Sequence, residues 1–245
     1  MNLNSEEIER YARHIVLTEI GGPGQQKLKA ARVLAIGAGG LGSAAIAYLA
    51  AAGTGRISIV DDDLVSLSNL QRQIIHDTAS VGMKKADSAR QAVNRINPNV
   101  QVEAWPVRFN QANGLALVAM HDLVIDGSDN FDTRYLVADL CEELNVPLVT
   151  AAVGQFDGSL TTLKPYARTV EGRQLPRYRD LFPASPPAGL LPTCAQAGIV
   201  GALTGIMGSL QAMEAIKEIT GAGDSLAGRL LLYDARACRF DIIRY

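Results

Sequence analysis

Six positions, Gly37-Ala38-Gly39-Gly40-Leu41-Gly42, stand between the apolar run Val33-Leu34-Ala35-Ile36 and a small-residue stretch that opens at Ser43. Glycines at these spacings let a strand turn sharply into a helix and bring the helix's first N–H groups up to phosphate oxygens. A second apolar run, Arg56-Ile57-Ser58-Ile59-Val60, ends in Asp61-Asp62-Asp63. A carboxylate about twenty residues past such glycines is placed to accept from a ribose hydroxyl. An ordinary tight turn accounts for the glycines alone, but not for the acidic strand end. Gly37, Gly39, Gly40 and Asp61 are therefore read as nucleotide-binding residues.

The groups that follow suggest chemistry at phosphorus. Ser66-Leu67-Ser68-Asn69-Leu70-Gln71-Arg72-Gln73 supplies amides and a guanidinium, and Lys85 comes at the start of the next helix. Arginine holds phosphate oxygens bidentately and lysine adds a compact charge, a combination suited to attack at phosphorus. Asp126-Gly127-Ser128-Asp129-Asn130 follows the apolar run Leu123-Val124-Ile125. This puts Asp129 at the carboxyl end of a strand, where ligands of open α/β sheets bind and where a carboxylate beside phosphates can hold magnesium. The plainer alternatives are that Arg72 and Lys85 are solvated charges and that Asp129 caps a helix. A nicotinamide-dependent oxidoreductase would share the glycine turn, but its mark would be a catalytic His or Tyr-Lys arrangement instead of these cations.

The elements that must position these groups alternate along the chain. Helical patterns at 5–17, up to 52, 84–95, 111–120 and 133–144 are interleaved with strand-like runs at 33–36, 57–60, 100–107, 123–125 and 148–151. That alternation is expected to give an α/β fold with a doubly wound, Rossmann-like, mostly parallel sheet. Runs at 159–164, 230–233 and 240–243 lack crossover helices and are expected to extend the sheet antiparallel. Residues 165–192 hold six of the ten prolines and read as a long surface loop, a candidate lid or substrate channel. The small-residue helix at 198–217 is expected to pack inside the fold or at a subunit face.

Composition narrows the classes. With 245 residues, 48% apolar and 20% charged, the chain can bury a full core as a single domain over 1–245. A net charge of −2 gives no electrostatic case for nucleic acid or a membrane surface. The polar start and the absence of a spanning segment point to a cytoplasmic protein. Cys141, Cys194 and Cys238 form no C-x-x-C pair, and His14, His76 and His121 lack metal-ligand spacing. All of these are read as structural except Cys194, which is either a small, partly buried residue before a helix or a reactive thiol whose pKa the helix start would lower.

Together with Arg10-Tyr11-Ala12-Arg13-His14-Ile15 near the start and Ser209-Leu210-Gln211-Ala212-Met213-Glu214-Ala215-Ile216-Lys217 near the end, these motifs cover nearly the whole chain. In this order they resemble the ThiF/MoeB/HesA family of ubiquitin-activating-enzyme-like adenylyltransferases, the molybdopterin-synthase branch first. The resemblance implies that ATP and Mg2+ are used to adenylate the C-terminal glycine of a ubiquitin-like sulfur carrier ending in Gly-Gly. The carrier would be the MoaD-like small subunit of molybdopterin synthase or, alternatively, the ThiS-like thiamine carrier. A tRNA threonylcarbamoyladenosine dehydratase is a more distant possibility, for which a basic surface is lacking.

Carried over by motif, Gly37, Gly39 and Gly40 would approach the nucleotide and Asp61 would hold the ribose. Ser68, Asn69, Leu70, Gln71, Arg72 and Asn130 would line the phosphates, Lys85 would stabilise developing charge, and Asp129 would hold magnesium. Arg13, in the helical segment 1–30, would be an arginine finger supplied by the other subunit of a homodimer. Cys194 matches a cysteine implicated in sulfur handling in relatives. Many members bind a structural zinc through two C-x-x-C pairs. Here the loop 165–193 reads Pro176-Arg177-Tyr178-Arg179-Asp180-Leu181-Phe182, with arginine and aspartate at the first pair's positions, so no zinc is expected. No rhodanese domain follows Tyr245, so sulfur is expected from a separate donor, a cysteine desulfurase or a rhodanese.

Overall fold

The computed structural model describes residues 3–169, 171–184 and 198–245. The apolar runs form β1 (Arg32–Ile36), β2 (Arg56–Val60), β3 (Gln101–Trp105), β4 (Leu123–Asp126), β5 (Leu148–Val153), β6 (Asp157–Leu163), β7 (Arg229–Asp234) and β8 (Arg239–Arg244). They make one sheet in the order β3-β2-β1-β4-β5-β6-β7-β8. β1 to β5 pair in parallel, and β6, β7 and β8 continue antiparallel. The doubly wound sheet with an antiparallel extension is thus the expected one.

The described helices are α1 (Ser5–Arg10), α2 (Ala12–Ile15), α3 (Gly21–Ala30), α4 (Gly40–Ala51), α5 (Lys85–Ile96), α6 (Gln111–Ala119), α7 (Phe131–Leu144), α8 (Tyr178–Leu181) and α9 (Gly201–Thr220). β1 and β4 are apolar at consecutive positions because both sheet faces are covered. Val33 and Ala35 join the core formed with α4, α5 and α9, whereas Leu34 and Ile36 join the one formed with α6 and α7. β8 lies at the sheet edge with all its residues exposed.

The N-terminal segment departs from the single helix expected at 5–17. An Asn4–Glu7 capping box starts α1, but the chain leaves helical geometry at Tyr11 (φ −101°, ψ 12°). Tyr11 is buried, and its hydroxyl accepts from Asn97 Nδ2 at 2.8 Å, so tertiary burial of one ring ends the helix. α3 was not legible because its first turn reads Gly21-Gly22-Pro23-Gly24, residues that normally break helices.

The loop expected at 165–193 is partly folded in its described portion. Residues 168 and 174 form an antiparallel bridge, and α8 inserts Tyr178 beside Tyr135 and Phe182 with ring centroids 5.1 and 5.0 Å away. Arg179 adds a bidentate bridge to Asp139 at 2.9 and 2.6 Å.

α9 approaches α4 closely. A Cβ at Gly208 would stand 2.4 Å from Leu41 O, whereas one at Gly205, on the same helix, would meet nothing within 4 Å. Gly208→Ala is expected to destabilise the fold by about 2 kcal/mol through overpacking. Gly205→Ala is expected to be neutral or to stabilise by up to about 1 kcal/mol through helix propensity. Urea unfolding of both variants checks the contrast; equal effects would contradict this packing.

Candidate functional site

The winding of the sheet reverses between β1 and β4, and at the carboxyl ends of these strands lies a cleft of about 430 Å³. The glycine turn forms one wall. Gly37 takes φ +88°, where a Cβ would stand 3.0 Å from Gly127 O, and its N–H donates to Val60 O at 2.9 Å. These constraints hold the turn flat against β2 and β4. The first bond inside α4 runs from Ser43 N to Gly39 O at 2.8 Å, so the amides of Gly40 and Leu41 have no acceptor within the helix. An anion in the cleft would supply one.

Support for the turn comes from behind. Ala38 N–H donates to Asp61 Oδ2 at 2.8 Å, and Asp61 Oδ1 accepts from Asp63 N at 2.9 Å. Two of the roughly four acceptor sites of the Asp61 carboxylate are thus used, leaving room for a ligand hydroxyl. Burial raises the Asp61 pKa above the ordinary aspartate value, against the opposing pull of Lys85. The Ala38 carbonyl accepts from His76 Nε2 at 2.9 Å.

The charged lining is balanced. Asp61, Asp62, Asp63 and Asp129 face Arg72, Lys85, Arg108 and Arg134 around the same cleft. Lys85 is buried, at 6% exposure, and pairs with Asp63 at 2.7 Å, so it is not a solvated surface charge. Arg72 donates to Ser68 O at 3.2 Å. Asp129 is exposed at the cleft and has no hydrogen bond or ion pair among the described residues. The helix cap expected as its alternative role falls instead to Asn130, whose Oδ1 accepts from Thr133 N at 2.9 Å. Among the described residues, the oxygens of Asp61, Asp62 and Asp63 lie within 4.8 Å of one another, a group that excludes Asp129.

Two buried polar atoms in the lining, Gln73 Oε1 and Ser128 Oγ, have no hydrogen-bond partner. Unpaired buried polar atoms are costly; Ser128 Oγ can donate to an anion, whereas Gln73 Oε1 only accepts and suits a hydroxyl or amino donor, a pairing of needs that a nucleotide meets.

Of the expected site residues, Gly37, Gly39, Gly40, Asp61, Arg72, Lys85, Asp129 and Asn130 converge on the cleft. Ser68, Asn69, Leu70 and Gln71 are not among its described lining. Ser68 and Asn69 belong to a short 3-10 turn, where Asn69 Oδ1 accepts from Ser66 N at 3.2 Å. Arg13 is exposed on α2 and does not line the cleft of its own chain. Cys194 lies outside the described residues.

Sequence reading missed Gln73, Arg108, Ser128, Arg134 and Thr204. Arg134 had a usable signal, since it follows the cap Asn130 by four residues and so shares its helix face; it donates to Ser128 O at 2.8 Å. Thr204 had none, because only the packing of α9 brings it over Gly40. Of the cysteines read as structural, Cys141 is buried, whereas Cys238 is exposed between β7 and β8 at φ +51°. Arg177 and Asp180, at the positions of the first expected zinc pair, bond to each other at 2.9 Å, and this donor set does not fit tetrahedral zinc. Among the described residues, no helix is long and apolar enough to cross a membrane.

The ThiF family model matches residues 11–245. The sulfur carrier protein adenylyltransferase of Thermus thermophilus is 47% identical over 98% of this chain and 88% of its own length. The SAMP-activating enzyme of Haloferax volcanii is 45% identical over 100% and 88%. The probable adenylyltransferase/sulfurtransferase MoeZ of Mycobacterium tuberculosis is 46% identical over 95% of this chain, which spans 59% of that protein. The solved structure of E. coli MccB with ATP shares the fold, with a TM-score of 0.79 at 20% identity over 99% of this chain and 72% of that one.

Two buried imidazoles set a pH dependence. Burial lowers the pKa of His76 and of His121 below the ordinary histidine value. Below about pH 6.5 the unfolded chain therefore binds protons that the folded chain refuses, and stability falls by up to about 1.4 kcal/mol per pH unit for each group. Asp61, with its raised pKa, acts in the opposite sense at lower pH. Melting temperature is expected to be flat above about pH 7 and to fall toward pH 5.5, less steeply in His121→Asn. A profile unchanged over that range would contradict the burial of both rings.

Proposed function

The chain belongs to the ThiF family, and from that membership we propose that its cleft adenylates the C-terminal glycine of a ubiquitin-like sulfur carrier, of the MoaD-like or ThiS-like kind. The observation that carries this reading is the convergence of free helix-start amides, four cations and an unpaired Asp129 on one cleft. No cysteine lines it among the described residues, and none of its described hydroxyls is paired with a histidine. Such a site suits a reaction whose nucleophile is already ionised.

In that reaction a carrier carboxylate oxygen attacks the α-phosphorus of ATP. The bond from that phosphorus to the oxygen bridging to the β-phosphate breaks, and pyrophosphate leaves. No proton has to be removed, so catalysis rests on positioning and charge stabilisation. The amide of Gly40, beside Gly37 and Gly39, meets phosphate, while Asp61 accepts from the ribose. Arg72 and the preceding Ser68, Asn69, Leu70 and Gln71 close over the phosphates. Lys85 exchanges Asp63 for the charge that develops at phosphorus. Asp129, with Asn130 beside it, is the residue that would hold Mg2+, an ion that neutralises phosphate charge when bound. Cys194 is proposed to act in sulfur handling after adenylation, with sulfur from a separate donor protein. Zinc is proposed to be dispensable, a reading supported by the anchoring of the segment around α8 through Tyr178 and the Arg179–Asp139 bridge.

Arg13 is proposed to enter the cleft of a second copy in a homodimer. The face it shares carries Val16 and Leu17, at 74% and 46% exposure, which a second subunit would cover.

Two experiments test the proposal. Pyrophosphate exchange into ATP is expected with one of two carriers, the molybdopterin-synthase or the thiamine type, and is expected to drop at least about a hundredfold in Asp129→Ala. Measurable ATP binding without exchange for either carrier would remove the carrier reading. Inactive Arg13→Ala and inactive Asp129→Ala proteins, mixed to exchange subunits, are expected to recover part of the activity; no recovery despite proven heterodimers would place Arg13 within its own chain.

A further inference from the structure

His76 has no part in the chemistry above, yet it touches the glycine turn directly. Its Nε2 lies 2.9 Å from the Ala38 carbonyl and its Nδ1 lies 2.8 Å from Ser88 Oγ. A carbonyl oxygen can only accept, so Nε2 carries the proton and donates to Ala38, while the Ser88 hydroxyl donates to Nδ1. His76 and Ser88 are 6% and 4% exposed, so water does not replace either bond. Ser88 lies on α5 three residues after Lys85, on the same face of the helix. On its other side, Ala38 is fixed by donation from its N–H to Asp61.

We infer that His76 is a positioning residue for the nucleotide: its imidazole ties the amides that face phosphate to the helix that carries Lys85, fixing the distance between the two. The inference rests on the reading that this cleft takes ATP. Without the ring, the turn and α5 meet at that point only through a buried carbonyl and a buried hydroxyl, each left unpaired. Either group then turns to find a partner, and a shift of about 1 Å in such a constellation costs orders of magnitude in rate. Burial, with the charge of Lys85, lowers the His76 pKa against the Ala38 hydrogen bond and the charges of Asp61 and Asp77, which favours the neutral ring whose lone pair accepts from Ser88.

The test is equilibrium titration of the full-length enzyme with ATP, together with KM for ATP and for carrier in pyrophosphate exchange. His76→Ala is expected to weaken ATP binding at least about tenfold while leaving carrier KM within about twofold, as loss of a buried hydrogen bond on the nucleotide side alone. His76→Gln, whose amide can donate to the same carbonyl, is expected to restore most of the loss. Ser88→Ala is expected to show a smaller loss in the same direction.

Wild-type ATP affinity in His76→Ala, equal losses for ATP and carrier, or no rescue by glutamine would overturn the inference. If His76→Ala does not fold, Ser88→Ala carries the comparison, and unchanged ATP affinity there overturns it. Titration with ATP needs no carrier. A wild type that binds ATP without exchanging pyrophosphate, and loses that binding in His76→Ala, would keep this inference and remove the carrier reading alone.

Discussion

The cleft exists because α9 lies directly on the backbone of α4 and on the turns around it. At Gly208 the approach to Leu41 O leaves no room for a side chain, at Gly201 the same holds against Gln71 O, and Thr204 fills the space that a Cβ on Gly40 would need. Thr204 Oγ1 also donates to Arg72 O at 3.3 Å. Further along the helix, Gln211 Nε2 donates to Asp126 O at 2.8 Å, at the carboxyl end of β4, and to Val149 O at 3.0 Å, near the start of β5. One rigid helix thus meets the glycine turn, the segment carrying Arg72 and the strand that leads to Asp129. Close packing of this kind transmits displacement rather than absorbing it, so the relative positions of these groups are set by the core.

On this frame, the electrostatics of the cleft are those of a site waiting for a polyanion. Its four carboxylates and four cations balance, and Lys85 is occupied by Asp63. A triphosphate entering such a site displaces internal pairs without leaving a buried cation unpartnered. The buried unpaired side-chain atoms of its lining, Gln73 Oε1 and Ser128 Oγ, are uncharged, and the unpaired carboxylate of Asp129 is exposed to solvent, which keeps the cost of the empty site small.

The sequence made the sheet legible because β1, β2 and β4 are covered on both faces and read as apolar runs, interrupted in β2 by the buried Ser58. It also revealed the residues of the glycine turn, Asp61, Arg72, Lys85 and Asp129, since each sits at a strand or helix end with a motif around it. Hidden were features that depend on distant packing. Tyr11 ends a helix because its hydroxyl meets Asn97, 86 residues away. α3 forms despite its glycines and proline. Thr204 reaches Gly40 from more than 160 residues further along the chain. The resemblance pointed to Asn69 as a phosphate ligand; in the structure its side-chain oxygen accepts from Ser66 N within the local turn, a role no spacing reveals.

The central claim is that a carrier carboxylate attacks the α-phosphorus of ATP in this cleft. The most direct measurement labels both oxygens of the carrier's terminal carboxylate with heavy oxygen, forms the adduct, cleaves it with a thiol and weighs the released AMP by mass spectrometry. The account expects AMP to carry one heavy oxygen, because the attacking oxygen stays on phosphorus when the acyl bond breaks. AMP without label, or label appearing in inorganic phosphate, would contradict it.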